Sequence, residues 1–231
     1  MNQGNSIAVA IFVKTPGLSP VKSRLAAEIG VEQAERCYRL SLQAVAAVVE
    51  RAKEISSIEV TPYWAVAEPE GMSHPLWQDF DRLAQPAGDL GERLAGVYDQ
   101  LIARHRGVMF LGADLPQITA ELLLEAMAEM SAGRRFVIGP ADDGGFYLFG
   151  GTTPLPADVW TSVVYSSKQT CEQLCGMLQG RGEVVRLKPL RDIDHLDDLK
   201  AVIEEFHAAE RRPAAGWLKE QRIWCEAFEG F

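Results

Sequence analysis

Cysteine and histidine are scarce in this 231-residue chain, at four residues each, and no CxxC pair or HExxH motif occurs. That excludes a disulfide framework or a zinc ribbon, which need paired cysteines at short fixed spacing. Cys171 and Cys175 share a helix face, where packing is a commoner use than metal binding. Cationic excess is also lacking: 23 Lys and Arg face 32 Asp and Glu, a net charge of −9. An extended phosphate partner such as DNA is therefore excluded, although a local basic site for a small anion is compatible with that balance. No apolar run reaches the length of a membrane span, and Ile7–Val13 is too short and wrongly flanked for a signal peptide. A cytoplasmic protein is the expectation. GxSxG and Walker phosphate-loop motifs are absent too.

What remains is an ordinary globular composition, 47% hydrophobic and 24% charged, without repeats, low-complexity tracts or linkers. One domain over 1–231, with a helical tail from 206 to 231, is the economical reading. Val108–Leu111 is a short continuous apolar run followed by Gly112, Asp114 and Pro116, and then by Thr119 and the amphipathic run Ala120–Met130. Strand, tight turn and helix in that order form an α/β unit, and such sheets bind ligands at the carboxyl ends of their strands. Asp114 stands at such an end. It either caps the turn and helix or serves as a ligand for a divalent cation holding a diphosphate.

Ile7–Val13 reads as the first buried strand and Ile58–Val66 as the second, with Pro62 pointing to an edge or a bend. Ser19-Pro20 reads as the start of a helix running to Ile29. Lys22, Ser23 and Arg24 then fall in its first turn, where cations oppose the helix dipole. A nearby anion would compensate, so Lys14, Lys22 and Arg24 together read as a phosphate clamp. Helices are expected over Val31–Glu54, Glu92–Ala103, Ser167–Gln179 and Leu196–Ala209, and strands over Phe136–Pro140 and Glu183–Leu187.

The turn Asp142-Asp143-Gly144-Gly145 is hairpin chemistry, with two carboxylates, either of which could take a proton or bind a sugar hydroxyl. Gly88 and Gly91 either punctuate a loop or leave room for a flat ligand. Trp160 and Tyr165 read as core or as pocket walls. Asp194 suits a helix N-cap, which leaves Asp192 as the candidate partner of Asp114 at a metal. The tail, Arg211–Phe231, with Trp217, Ile223 and Trp224, reads as a helix packed on the body or on a second copy of the chain.

These motifs occur in the order Lys14…Lys22-Ser23-Arg24-Leu25, Gly88-Asp89-Leu90-Gly91-Glu92-Arg93, Gly112-Ala113-Asp114-Leu115-Pro116, Gly139 to Leu148, and Asp192-Ile193-Asp194. From about Ile7 to Leu199 the chain thereby resembles the GT-A-like glycosyltransferases of the DUF2064 type, relatives of nucleotide-diphospho-sugar transferases and, more distantly, of nucleotidyltransferases. The family carries Lys-Thr-Arg where this chain has Lys22-Ser23-Arg24, a change that keeps a hydroxyl.

The resemblance implies a single-domain GT-A fold with a mixed, mostly parallel sheet flanked by helices. It also implies a nucleotide-sugar substrate whose base lies near Gln85 and the loop Gly88, Asp89, Gly91 and Arg93. The diphosphate would meet Lys14, Lys22, Ser23 and Arg24. Mg²⁺ or Mn²⁺ would sit on Asp114 with Asp192 or Asp194. The acceptor would lie beside Gly144 and Gly145, with Asp143 or Asp142 as the base. Two carboxylates about 4 Å apart repel by roughly 4 kcal/mol at an effective dielectric of 20, which a cation offsets. The implied reaction is glycosyl transfer. Nucleotidyl transfer with release of pyrophosphate, or nucleotide binding without turnover, are the other readings.

Overall fold

The computed structural model describes residues 6–133, 135–210 and 217–231, the side chains of 209 and 210 excepted. Seven strands form one sheet: β1 Ile7–Val13, β2 Val60–Val66, β3 Asp81–Ala84, β4 Gly107–Gly112, β5 Arg135–Pro140, β6 Phe146–Gly151 and β7 Glu183–Arg186, in the spatial order β3-β2-β1-β4-β6-β5-β7. Only β6 runs against the rest, pairing antiparallel with β4 and β5. The mixed, mostly parallel α/β sheet expected from the sequence is therefore observed.

The helices are α1 Ser23–Ile29, α2 Val31–Ile55, α3 Leu90–Ile102, α4 Ala120–Ser131, α5 Asp158–Thr161, α6 Thr170–Leu178, α7 Leu196–Glu210 and α8 Lys219–Phe228. The β1 side chains alternate between two cores. Ile7, Val9, Ile11 and Val13 pack with α2 and α4, while Ala8 and Ala10 face Val97, Leu101 and Trp160 of α3 and α5. Both faces of the central strands are thus covered, which is why their sequences are apolar without interruption. Trp160 is fully buried between Phe149 and Phe110, so it belongs to this core and not to a pocket wall.

A third cluster joins α1, α7 and α8 to the outer side of α2 through Leu25, Ile193, Phe206, Trp224 and Phe228. The tail therefore packs on the body of its own chain. Trp224 Nε1 donates to Ser41 Oγ at 3.0 Å, and Gln221 Nε2 donates to the carbonyls of Pro116 and Ile118, directly after the Asp114 turn. The helical reading of 211–216 lies outside the described residues. No helix among the described residues is long and apolar enough to cross a membrane.

Several local expectations are corrected. Pro62 is not on an edge strand, because β2 lies between β3 and β1; but β3 is short and pairs only from Tyr63 onward, so no outer strand faces Pro62. Strand β3 itself has no apolar pattern, being an exposed four-residue edge. Helix α1 begins at Ser23, three residues after Pro20, with Lys22 at its N-cap in the left-handed region (φ 50°, ψ 42°). Helix α6 begins at Thr170, and Ser167 spends its hydroxyl on the Gln169 N–H ahead of the helix. At α7 the free N–H groups of Asp194 and His195 go to Asp198 Oδ2 and that of Leu196 to Glu28, so Asp194 is not the cap.

Candidate active site

From β1 the chain runs outward to β2 and β3 on one side, and it returns to β4 on the other. The carboxyl ends of β1 and β4 thus border the switch point of the sheet, where neighbouring connections diverge and leave a crevice. Phe12 pairs in register with Gly112, so Lys14 and Asp114 emerge side by side, two residues beyond the last pair. The crevice has two lobes that share Phe12, Gly112, Phe146, Tyr147 and Asp192. The polar lobe, about 440 Å³, contains Lys14, Lys22, Ser23, Arg24, Asp114 and Asp194. The second lobe, about 250 Å³, is walled by Leu90, Leu94, Phe110 and Tyr165, with Asp143 and Thr170 among its polar groups.

Lys22 is the most constrained residue of the polar lobe. Its left-handed backbone turns the side chain inward, where it is 1% exposed. The ammonium donates to Asp114 Oδ2 at 2.9 Å and to the Ile193 carbonyl at 2.6 Å. Burial alone would lower its pKa, but the Asp114 carboxylate beside it reverses the direction and keeps it charged. The three cations expected to clamp a phosphate differ in their partners. Lys22 is committed to Asp114, and Arg24 is paired with Asp194 at the surface. Among the described residues no carboxylate pairs with Lys14, an exposed residue whose backbone N–H and carbonyl are both held by the Tyr38 hydroxyl. Tyr38 lines the same lobe, yet its helical spacing in α2 marks it only as core.

The loop carrying Asp192 is braced from three directions. Leu190 exchanges backbone hydrogen bonds with Pro140 and Asp142, Gln117 Nε2 donates to the Arg191 carbonyl, and Lys22 holds Ile193. Asp192 opens onto both lobes but is surrounded by protein. Burial first, then the Asp114 charge, push its carboxyl up to about 7, with Lys22 opposing. Asp114 Oδ1 is buried without a hydrogen-bond partner. An unpartnered carboxylate oxygen beside a second, reluctantly ionised carboxylate is a set of hard oxygen donors that suits Mg²⁺ or Mn²⁺. Asp194 contributes less to that set, because Arg24 already engages it.

The acidic turn divides its two carboxylates. Asp143 faces the second lobe and accepts the Gly145 N–H at 2.7 Å, whereas Asp142 turns out of the cleft toward Arg191 Nη2 at 3.3 Å. Gly145 lines the lobe with Asp143. Gly144 does not; it has φ 92°, and a Cβ there would run into the Lys168 carbonyl. Most of the Gly88–Arg93 segment borders the cleft without lining it. Asp89 and Glu92 form a reciprocal capping box for α3, and Arg93 donates to the Gly88 carbonyl. A Cβ on Gly91 would meet the Trp160 carbonyl at 2.8 Å. Only Leu90 of this segment reaches the lobe. Gln85 is buried, donates to the Ala65 carbonyl and lines neither lobe. Phe12, Phe146 and Tyr147, at the junction of the lobes, were unmarked in the sequence because strand-end aromatics look like core.

A family model described as an uncharacterized protein conserved in bacteria (DUF2064) matches residues 48–167, just over half the chain. The chain belongs to this family. The matched span holds Asp114 and Asp143, while Lys14, Lys22 and Asp192 lie outside it. Among solved structures, a protein from Desulfovibrio desulfuricans G20, provisionally named a nucleotide-diphospho-sugar transferase, is similar at 23% identity, with a TM-score of 0.78 over 95% of this chain and 96% of that one. A nucleotidyl transferase from Methanothermobacter thermautotroptrophicus is 15% identical with a TM-score of 0.56, over 89% of this chain and 99% of that one. The 4-diphosphocytidyl-2C-methyl-D-erythritol synthase of Anaerococcus prevotii DSM 20548 is 11% identical with a TM-score of 0.57, over 88% and 96%. At such identities the likeness is one of fold. No curated protein matches the sequence.

Proposed function

We propose that this DUF2064 protein is a transferase that moves a sugar from a nucleotide-diphospho-sugar to an acceptor hydroxyl, with a divalent cation held by Asp114 and Asp192. The observation that carries this reading is the joining of two unlike lobes at Asp192: one lined by cations and carboxylates, the other by apolar and aromatic walls with Asp143 at its edge. The first suits a diphosphate and its counter-ion, and the second suits the flatter, less charged parts of the substrates. The names of the structural neighbours from D. desulfuricans and M. thermautotroptrophicus are consistent with nucleotide chemistry on this fold.

In this mechanism Lys14, exposed at the mouth, attracts the diphosphate. Lys22 acts as a positioning residue, holding Asp114 and the Ile193 carbonyl at fixed distance so that the two metal-facing carboxylates keep their geometry. When bound, the cation offsets negative charge that develops on the leaving nucleoside diphosphate. Asp143, exposed at the edge of the second lobe, accepts the proton of the acceptor hydroxyl. Phe12 and Phe146, which line both lobes, offer apolar surface to the donor where the lobes meet.

Turnover distinguishes the two chemistries this fold supports. Incubated with a panel of nucleotide sugars and Mn²⁺, the protein should release nucleoside diphosphate. Release of pyrophosphate from a nucleoside triphosphate, with none of the diphosphate product, would replace glycosyl by nucleotidyl transfer.

A further inference from the structure

We propose that His207, Cys225 and Glu229 form a zinc site that fastens α8 to the end of α7, apart from the cleft. The three side chains present one nitrogen, one sulfur and one oxygen within 4.8 Å of one another. Cys225 and Glu229 stand one turn apart, and hence on one face of the C-terminal helical segment, while His207 comes from the last turn of α7. His207 Nε2 and Glu229 Oε1 are 3.8 Å apart. That is too long for a hydrogen bond and a few tenths of an ångström beyond the separation of two ligands on one tetrahedral ion, a gap that a small side-chain rotation closes.

The donor set selects the ion. A thiolate disfavours Mg²⁺ and Ca²⁺, whereas imidazole, thiolate and carboxylate together suit Zn²⁺. Charge also balances: on binding, the Cys225 thiol gives its proton to solvent, and thiolate plus carboxylate then cancel the two positive charges. Cys225 lies on the buried side of the cluster and Glu229 on the exposed side. The clip would close the chain between 207 and 225, across the start of the tail, and reinforce the Phe206, Trp224 and Phe228 packing that already holds α8.

The test uses the full chain, stripped with a chelator and titrated with Co²⁺ as a spectroscopic stand-in for Zn²⁺. The site predicts one equivalent of Co²⁺ that carries a thiolate-to-cobalt charge-transfer band and is displaced by Zn²⁺, whatever further Co²⁺ the cleft carboxylates take up. Cys225→Ser should abolish the band, and Cys171→Ser/Cys175→Ser should leave it intact. His207→Gln and Glu229→Gln change side chains at the surface and serve if Cys225→Ser does not fold. Each should weaken binding by at least about tenfold, the scale seen even for outer-shell changes at metal sites. Absence of the band, its loss with Cys171 and Cys175 instead, or indifference to His207→Gln would overturn the proposal. Asp114→Asn, which bears on the cleft, should leave the band unchanged.

Discussion

Lys22 Nζ sits 2.9 Å from Asp114 Oδ2, a buried ammonium on the carboxylate at the end of β4. The pair links the β1–α1 loop to the sheet, and the same ammonium links both to the Asp192 loop through Ile193. Three segments far apart in sequence are thus tied by one side chain, which explains why a lysine accepts a left-handed backbone there. Asp114 is 37% exposed, so solvent screens part of the interaction.

Lys22→Met should therefore destabilise the protein by about 1–3 kcal/mol, the cost of leaving a partly buried carboxylate uncompensated. Adding Asp114→Asn should restore part of that loss, because the stranded charge is removed with its partner. A double-mutant cycle from denaturant unfolding measures this coupling. Strict additivity would show that the pair contributes nothing.

Asp192 predicts a pH dependence. Its carboxyl is raised from the ordinary value of 3.8 to about 7 in the fold. Between those values the native state holds a proton that the unfolded state has lost, so stability falls as pH rises through the window and levels off above it. Asp192→Asn, which stays neutral, should unfold at a higher temperature than the wild type at pH 8 in the absence of metal. The difference should shrink toward pH 4. An advantage that is constant with pH would contradict the raised carboxyl.

The acidic turn offers a paired comparison. Asp143→Asn should lower turnover by about 10²–10⁴-fold, the usual range for losing a general base, while nucleotide affinity is kept. Asp142→Asn should leave turnover near the wild-type rate, because its carboxylate faces Arg191 outside the cleft. Equal losses from the two would remove Asp143 from its role.

Gly144→Ala tests the backbone that holds this turn. A positive φ and the Lys168 carbonyl both oppose a Cβ, so the cost should exceed about 1 kcal/mol in unfolding experiments. A neutral substitution would mean that the hairpin and the start of α6 separate easily.

Much of the sheet was legible because β1, β4 and β6 are buried on both faces and read as unbroken apolar runs. Strand β3 escaped, since four residues at an exposed edge have no face to bury. The Ser19-Pro20 start signal misled because the buried Lys22 contacts override the local capping preference and delay α1 to Ser23. Asp114, Lys22 and Asp192 were individually visible as charged residues at element ends. Their pairing was not, because a lysine bound to a carboxylate and a lysine waiting for a phosphate have the same local sequence. Asp89 shows the converse, a residue in a ligand-like motif whose side chain caps α3.

Isothermal titration of nucleoside diphosphates with and without Mn²⁺ decides whether the cleft takes a metal-bound diphosphate on Asp114. For at least one nucleotide, Mn²⁺ should tighten binding to the wild-type protein, and Asp114→Asn should abolish that gain while the variant remains folded. A Mn²⁺-dependent affinity that survives Asp114→Asn would contradict the account.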